Sequence, residues 1–264
     1  MRFLGPHENF IGTVTDLVHT YGPVFRVHLG PRPNMLVSSP EAFEKILSSN
    51  KHITKGKDYT FLWDWLGFGL LTSTGSKWHS RRKMLTPAFH FRILEDFLDI
   101  MNNQCSILCD KLEEQVGKRE FNVFPYVTHC ALDIICETAM GKCINAQEHN
   151  DTDYVRAVYR SSEIVFQRQR SPWLWYKLFF QLTPLGAEWR KVVSTMHEFT
   201  TSVINERKEY HQELEKTESA SHDDNDVGIK RRFAFLDLLI KESKGGAVLS
   251  DTDIREDMVT FNIP

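Results

Sequence analysis

The chain has 264 residues, of which 41% are hydrophobic and 25% are charged. This balance is typical of a globular protein and excludes a disordered or fibrous chain, while the length allows one large domain or two small ones. The formal net charge is −3 at pH 7. No overall positive field therefore attracts nucleic acid, and we expect no nucleic-acid partner.

The N-terminal sequence MRFLGPHENF lacks the basic and then apolar pattern of a signal peptide. The chain also has no run of about 20 apolar residues, the length that a helix needs to cross a bilayer. We therefore expect no membrane-spanning segment in these residues.

A β-hairpin is predicted first, because apolar and polar residues alternate on both sides of the turn sequence GPRP. Its strands are expected near 24–28 and 35–38. A short helix should follow and begin at Pro40, since proline is favoured in the first helical turn.

The next stretch, YTFLWDWLGFGLLTSTG at 59–75, is aromatic and rich in glycine. It has no regular period, which indicates a loop. A helix is then predicted over 76–85, before Pro87, because proline breaks a helix interior.

Apolar residues at helical spacing predict further helices along the remainder of the chain. Their expected ranges are 91–116, 124–140, 153–168, 188–214 and 233–243. The second of these is apolar nearly all round and ends at Gly141, so it should be buried. Ser250 and Asp253 resemble a capping box that opens one more helix. The polar, charged residues 216–232 indicate a flexible loop.

Five cysteines, at 105, 109, 130, 136 and 143, form no Cys-x-x-Cys pair. Their odd number and spacing favour reduced thiols and a protein that faces the cytosol. Cys105 and Cys109 lie one helical turn apart, but no histidine stands at zinc-finger spacing from them. We predict that they are small buried side chains, because free cysteine is commonly buried.

The stretch GSKWHSRRKML at 75–85 places Trp78 four residues before Arg82, on one face of the predicted helix. The tryptophan offers one indole N–H, and the arginine offers a planar fork of donors with a permanent charge. Together they suit a carboxylate or a phosphate, which the arginine would bind bidentately. The alternative is a buried tryptophan beside a solvated arginine, because this spacing alone is a weak motif.

The longer run LGFGLLTSTGSKWHSRRKMLTPAFHFRILEDFLDIMN, followed by CALDIICETAMG, closely resembles the cytochrome P450 monooxygenases. It is most similar to the microsomal, family 4-like branch that ω-hydroxylates fatty acids. The resemblance implies a mainly α-helical fold with a small β-hairpin, in which residues 1–264 form the N-terminal part of one P450 domain. The hairpin and the B–C region would occupy 20–90, and the helical part would occupy 91–264.

In this family a Trp-x-x-x-Arg helix contacts the heme propionates, so the resemblance implies that Trp78 and Arg82 bind heme. The loop before that helix lines the family's substrate chamber. The lining residues implied here are Trp63, Leu66, Phe68 and Leu71. The alternative is that these four simply belong to the core.

The aromatic segment 172–180 lies where the family meets the bilayer, beside the substrate entrance. Its aromatic side chains with Lys177 suit an interfacial position, and the alternative is internal packing. Arg81 and Lys83 would face the acidic surface of NADPH–cytochrome P450 reductase, or else remain solvated. The resemblance further implies hydroxylation of an apolar substrate, expected to be a fatty acid, with O2 and NADPH-derived electrons. The expected location is the cytosolic face of the endoplasmic reticulum membrane.

The family's heme iron is held by a cysteine thiolate in a Phe-x-x-Gly-x-Arg-x-Cys loop, and none of the five cysteines has that context. The family's Glu-x-x-Arg pair and its oxygen-activating Ala-Gly-x-Asp-Thr-like stretch are also missing from these residues. We therefore expect a partial enzyme, cut before its central helix and without its membrane anchor, in which no residue is catalytic or binds a metal. Such a chain would be inactive alone. The alternative function is a non-catalytic helical fragment.

Overall fold

The computed structural model describes residues 10–29, 32–89, 91–149, 152–220, 234–244 and 249–261. They form a mainly α-helical fold with one small antiparallel hairpin, which confirms the predicted fold class. The helices in this part of the chain are α1 Phe10–Tyr21, α2 Pro40–Leu47, α3 Trp63–Leu66, α4 Gly75–Leu85, α5 Phe91–Glu113, α6 Phe124–Ile135, α7 Asp153–Arg170, α8 Lys177–Leu182, α9 Pro184–Ala220, α10 Phe235–Lys244 and α11 Asp251–Phe261.

The hairpin pairs β1 (Val24–Leu29) with β2 (Arg32–Val37). The second strand begins earlier than predicted and contains Pro33. Proline is tolerated there because both strands of a two-stranded sheet are edges, where a missing N–H can face solvent. Residues 30 and 31 of the predicted turn lie outside the described residues.

Helix α1 is a structural element that the sequence patterns did not predict. Its sequence FIGTVTDLVHTY contains glycine, threonine and valine, which are mediocre helix formers. The end of the helix is well defined, because Gly22 adopts a left-handed conformation with φ 86°. The Gly22 N–H donates to the Val18 carbonyl oxygen at 2.9 Å, as in a glycine C-cap.

The predicted loop at 59–75 is partly helical, so that prediction is wrong for its first half. A 3₁₀ helix at Lys57–Leu62 leads directly into α3. Phe61, Trp65 and Leu66 are buried there. Packing of these large side chains fixes the segment, although the sequence shows no helical period.

Two glycines after α3 bring the chain close to α11. Gly67 has φ 55°, which ends α3 in a conformation that side chains rarely adopt. A Cβ atom at Gly69 would lie 2.5 Å from the backbone oxygen of Glu256. Only glycine fits this approach, so the loop and α11 lie backbone against backbone.

Helix α6 continues as a π-helical turn, Cys136–Met140, and ends at the left-handed Gly141, as predicted. The C-terminal half is buried, which also agrees with the prediction. The first turn is not buried, because Phe124 and Val127 are at least half exposed.

The cysteines divide into two groups. Cys130 and Cys136 are buried, whereas Cys105, Cys109 and Cys143 are exposed. The prediction of buried side chains is therefore wrong for Cys105 and Cys109. Both lie on a part of α5 that solvent reaches, as the half-exposed Leu98, two turns before Cys105, also shows.

Helices α7 and α9 pack against each other and supply much of the hydrophobic core. Ile164 of α7 and Met196 of α9 are almost completely buried there. Helix α9 is longer than predicted and continues to Ala220. The predicted loop at 216–232 is therefore wrong for 216–220, and 221–232 lie outside the described residues.

The predicted capping box at the start of α11 is confirmed. The Asp253 N–H donates to the Ser250 hydroxyl oxygen at 3.2 Å, and the Ser250 N–H donates to the Asp253 carboxylate at 3.1 Å. Further along α11, Ile254 and Met258 have no exposed surface, so the helix is anchored in the core.

Across the described ranges, no helix is both long enough and apolar enough to cross a membrane.

Candidate functional site

Helix α4 carries the Trp-x-x-x-Arg pattern and has few apolar residues. Only Trp78, Met84 and Leu85 of its eleven residues are apolar, and they form no continuous stripe. Most amphipathic helices are oriented by burying such a stripe. The orientation of α4 must therefore depend on other contacts.

Trp78 and Arg82 lie one turn apart on α4, as predicted. Trp78 is half-buried with its ring edge-on to His79, at 5.1 Å between ring centroids. Arg82 is exposed, and its guanidinium forms no ion pair within the described residues. An indole N–H and an uncommitted guanidinium on neighbouring turns fit a carboxylate ligand such as a heme propionate.

Arg81 lies next to Arg82 but has a different environment. Its side chain is 9% exposed, and its Nη1 atom donates to the Asp257 carboxylate at 2.8 Å. Its Nη2 atom forms an ion pair with Asp253. The expectation that Arg81 faces a reductase or stays solvated is therefore wrong, because α11 supplies two carboxylates for it. Lys83 is exposed.

Lys77 extends this contact by one helical turn. Its Nζ atom lies 3.3 Å from a Glu256 carboxylate oxygen and 3.8 Å from one of Asp253. We call Lys77, Arg81, Asp253, Glu256 and Asp257 the α4–α11 ladder. The two cations are four residues apart on α4, and the carboxylates on α11 lie three and four residues after Asp253, so the two rows face each other.

Asp257 has the most unusual environment in the ladder. Its side chain has no exposed surface, and its Oδ1 atom has no hydrogen-bond partner in the described part of the chain. Burial raises the pKa of Asp257 to about 6. Arg81 opposes this shift, whereas Asp253 and Glu256 add to it.

Asp253 behaves differently although it shares the same arginine. Burial acts to raise its pKa, but hydrogen bonds from Ser250 and the charges of Arg81 and Lys77 outweigh that effect. The pKa of Asp253 is therefore lowered, and its carboxylate stays ionised beside Arg81.

The structure separates the four residues predicted to line the substrate chamber. Trp63 and Phe68 are nearly half exposed, and their ring centroids lie 5.1 Å apart. Leu71 is partly buried against the core, and Leu66 is fully buried within it. Trp63 and Phe68 therefore form one accessible aromatic pair. Leu66 instead belongs to the core, which was the alternative considered for these four residues.

The aromatic segment 172–180 is anchored by two buried side chains, Leu174 and Phe180. Other apolar side chains in and next to it are more than half exposed. These are Trp173, Tyr176, Leu178, Phe179 and Leu182. They do not pack internally, and together they form an exposed apolar patch on the surface.

A buried arginine that sequence reasoning missed holds this segment to the region before α4. Arg168 lies between the rings of Phe61 and Phe180, with its guanidinium carbon 4.9 and 4.1 Å from their centroids. Its Nε atom donates to the Leu174 carbonyl oxygen at 3.0 Å. Burial lowers the pKa of Arg168. No spacing in the sequence distinguishes this arginine from the neighbouring Arg170.

An open groove of about 710 Å³ lies along α9. Its wall contains His197, whose Nε2 atom lies 2.7 Å from the Trp65 carbonyl oxygen. Burial lowers the pKa of His197, which favours the neutral imidazole. The wall includes none of the residues predicted for heme or substrate.

The family model for cytochrome P450 matches residues 2–263. The chain therefore belongs to the cytochrome P450 family, which confirms the resemblance found in its sequence.

Relatives within that family belong to cytochrome P450 family 4. The chain is 51% identical to human cytochrome P450 4V2 over 242 residues, which is 90% of the chain and 46% of the relative. It is 46% identical to cytochrome P450 4c3 of Drosophila melanogaster over an alignment of 276 residues including gaps. That alignment covers 99% of the chain and 52% of the relative. The chain thus spans about half the length of these curated relatives.

The raised pKa of Asp257 predicts a pH-dependent effect of Asp257→Asn. The ordinary pKa is 3.8 and the folded value is about 6, so the folded protein binds the proton more tightly than the unfolded one. Ionisation of Asp257 therefore removes stability as the pH rises from about 4 through 6, by roughly 2–3 kcal/mol. We expect the stability of Asp257→Asn relative to the wild type to increase by that amount over the same interval.

Urea unfolding at a series of pH values measures this difference. Asp251→Asn, the same substitution at an exposed position of α11, is the matched control. A stability difference between Asp257→Asn and the wild type that stays constant from pH 4 to 7 would contradict the assignment.

Proposed function

We propose that the protein containing this chain is a cytochrome P450 monooxygenase that hydroxylates an apolar substrate, with a fatty acid as the expected class. The reaction would use O2 and electrons that NADPH–cytochrome P450 reductase takes from NADPH. Membership of the cytochrome P450 family carries this proposal. The family 4 relatives support the choice of branch.

Trp78 and Arg82 are the proposed heme contacts within this chain. Arg82 would form charge-assisted hydrogen bonds to a propionate, and the Trp78 indole would add one neutral donor. Bound heme with a thiolate ligand supplies the activation of O2 in this class of enzyme. The protein residues described here contribute the orientation of the cofactor through its carboxylates.

The iron ligand is proposed to lie outside residues 1–264. Burial raises the pKa of Cys130 to about 11 and that of Cys136 to about 12, so both thiols are held in the protonated form. The pKa of Cys143 is also raised, by desolvation of its sulfur atom and by the nearby carboxylates of Glu137 and Asp133, although the residue as a whole is exposed. None of the five cysteines stands in the family's Phe-x-x-Gly-x-Arg-x-Cys loop, and this is the observation that supports a ligand elsewhere.

Trp63 and Phe68 are the proposed contacts for the apolar substrate, because both rings are accessible and adjacent. Leu71 is partly buried against the core. Leu66 would support this wall from within rather than touch the substrate, since its side chain is fully buried.

The exposed apolar patch around 173–182 is the proposed contact with the membrane surface. Aromatic side chains of this kind favour the boundary between lipid headgroups and acyl chains. We propose that this membrane surface is the cytosolic face of the endoplasmic reticulum membrane, as the family 4 relatives suggest. The exposed Lys83 remains available to an acidic reductase surface.

The alternative function is a non-catalytic helical fragment that associates with heme, lipid or a partner without turnover. None of the described residues is assigned a catalytic role, and they would hold heme only through its carboxylates. The two functions differ in whether the completed protein gives turnover. By completed protein we mean the full-length protein that contains residues 1–264.

Arg82→Ala should weaken heme retention in the completed protein. A charge-assisted hydrogen bond is worth roughly 1.5–3 kcal/mol, so we expect the heme dissociation constant to rise about 10- to 150-fold. Trp78→Phe removes only a neutral donor and should have a smaller effect. Heme transfer to an acceptor globin measures the loss.

Lys83→Met is the matched control, because it removes an exposed cation next to Arg82 on the same helix. If Arg82→Ala retains heme as well as the wild type does, the propionate assignment is wrong.

Replacing Trp173, Phe179 and Leu182 with serine should reduce binding of the completed protein to phospholipid vesicles. These side chains are more than half exposed, so their removal should change the membrane contact more than the fold. Co-sedimentation with vesicles measures the effect. Phe124→Ser with Val127→Ser is the control, because it removes exposed apolar side chains from α6. Equal co-sedimentation of the patch variant and the control would argue against a membrane contact.

Residues 1–264 alone, supplied with heme and reductase, should give no thiolate-type Soret band and no fatty-acid turnover. The reason is that none of the five cysteines has the family's ligand context. The reduced carbon-monoxide difference spectrum is the measurement. A thiolate-type band would refute this expectation, and single serine variants of the five cysteines would then locate the ligand.

A further inference from the structure

The two neighbouring arginines of α4 point in different directions. Successive residues of an α-helix are rotated by about 100° around its axis. Arg81 faces α11 and is buried, whereas Arg82 faces solvent. The direction of Arg82 therefore depends on the rotation of α4 about its own axis.

That rotation is fixed by one stripe of α4, which consists of Lys77, Arg81 and Leu85. Leu85 is fully buried, and the two cations reach the carboxylates of α11. An apolar contact at Leu85 alone would allow α4 to roll, because apolar packing is not directional. The bond from Arg81 Nη1 to Asp257 at 2.8 Å has a defined direction and removes this freedom.

The carboxylates that receive Arg81 are themselves held in place. Asp257 has buried neighbours on α11, Ile254 and Met258. Asp253 is held by the capping box with Ser250. Helix α11 thus presents a fixed pair of acceptors to α4.

We propose that Arg81 is a positioning residue for the heme contacts: its ion pairs with Asp253 and Asp257 set the rotation of α4 so that Trp78 and Arg82 face the same carboxylate. Arg81 does not touch the cofactor and acts through Arg82. The inference rests on the proposed function, because it takes the propionate as the ligand of Arg82.

The shape of the guanidinium matters for this role. Arg81 uses Nη1 for Asp257 and Nη2 for Asp253, so one side chain joins two residues that lie a helical turn apart. A lysine ammonium is a single point charge without a planar fork. Arg81→Lys should therefore keep a charge in the ladder but define the rotation of α4 less well.

A double-mutant cycle in the completed protein tests the inference. Heme transfer to an acceptor globin is measured for Arg81→Met, Arg82→Ala and the double variant, with Lys83→Met as the exposed control. Thermal unfolding of each heme-free variant is recorded in parallel. If Arg81→Met does not fold, the same cycle is run with Arg81→Lys.

We expect Arg81→Met to weaken heme retention roughly tenfold when Arg82 is present and less than twofold when Arg82 is alanine, since coupled residues deviate from additivity. Arg81→Lys should give an intermediate loss, and Lys83→Met should give none. This pattern would show that Arg81 acts through Arg82.

Two other results would overturn the inference, and they are distinguishable. If Arg82→Ala weakens heme retention but Arg81→Met has the same effect with and without Arg82, or only lowers the unfolding temperature, Arg81 has a structural role alone. If Arg82→Ala leaves heme retention unchanged, the propionate assignment itself fails, and the inference fails with it.

Discussion

The buried ion pair between Arg81 and Asp257 determines how two distant parts of the chain are related, because the two residues are 176 positions apart in the sequence. Removing both charges from water is costly, and their attraction offsets that cost only while both partners remain. The pair is therefore better understood as a source of geometric specificity than of stability. It gives α4, which has no apolar stripe, a single orientation on the core.

Buried charged groups fix other segments in the same way. The Asp133 carboxylate accepts N–H bonds from Ala146 at 2.6 Å and Gln147 at 2.9 Å, which holds the loop after Gly141 against α6. Arg168 holds the aromatic segment through its stacking contacts and its bond to a carbonyl oxygen. In each case a segment without a regular apolar period is attached to the helical core by a directional polar contact. The helical core itself depends on apolar packing, which needs no such directionality.

The difference between apolar packing within the helical core and directional polar contacts elsewhere explains which features the sequence could predict. The amphipathic helices and the caps at Gly141 and Ser250 follow from local patterns, and the structure confirms them. Helix α1 and the short helix α3 were missed, because weak helix formers and aromatic packing leave no helical period. The sequence could predict the Trp78–Arg82 pair because the two residues are only four positions apart, which is about one helical turn. The burial of Arg81 was not, because its partners lie far away in the sequence and nothing local separates it from Arg82.

The ladder also explains why Arg82 remains free for a ligand. Helix α11 presents three carboxylates to α4, and an unoccupied carboxylate nearby would compete with any external anion for the Arg82 guanidinium. Lys77 and Arg81 already pair with these carboxylates, which leaves one excess negative charge in the ladder. Burial raises the pKa of Asp257 to about 6, so the charge of this carboxyl, and with it the excess, is lost as the pH falls below that value. Asp257 bonds Arg81 directly, whereas Arg82 lies on the solvent-exposed side of α4. Arg81 thus pairs with the carboxylates of α11, and the adjacent Arg82 keeps its capacity to bind a carboxylate ligand.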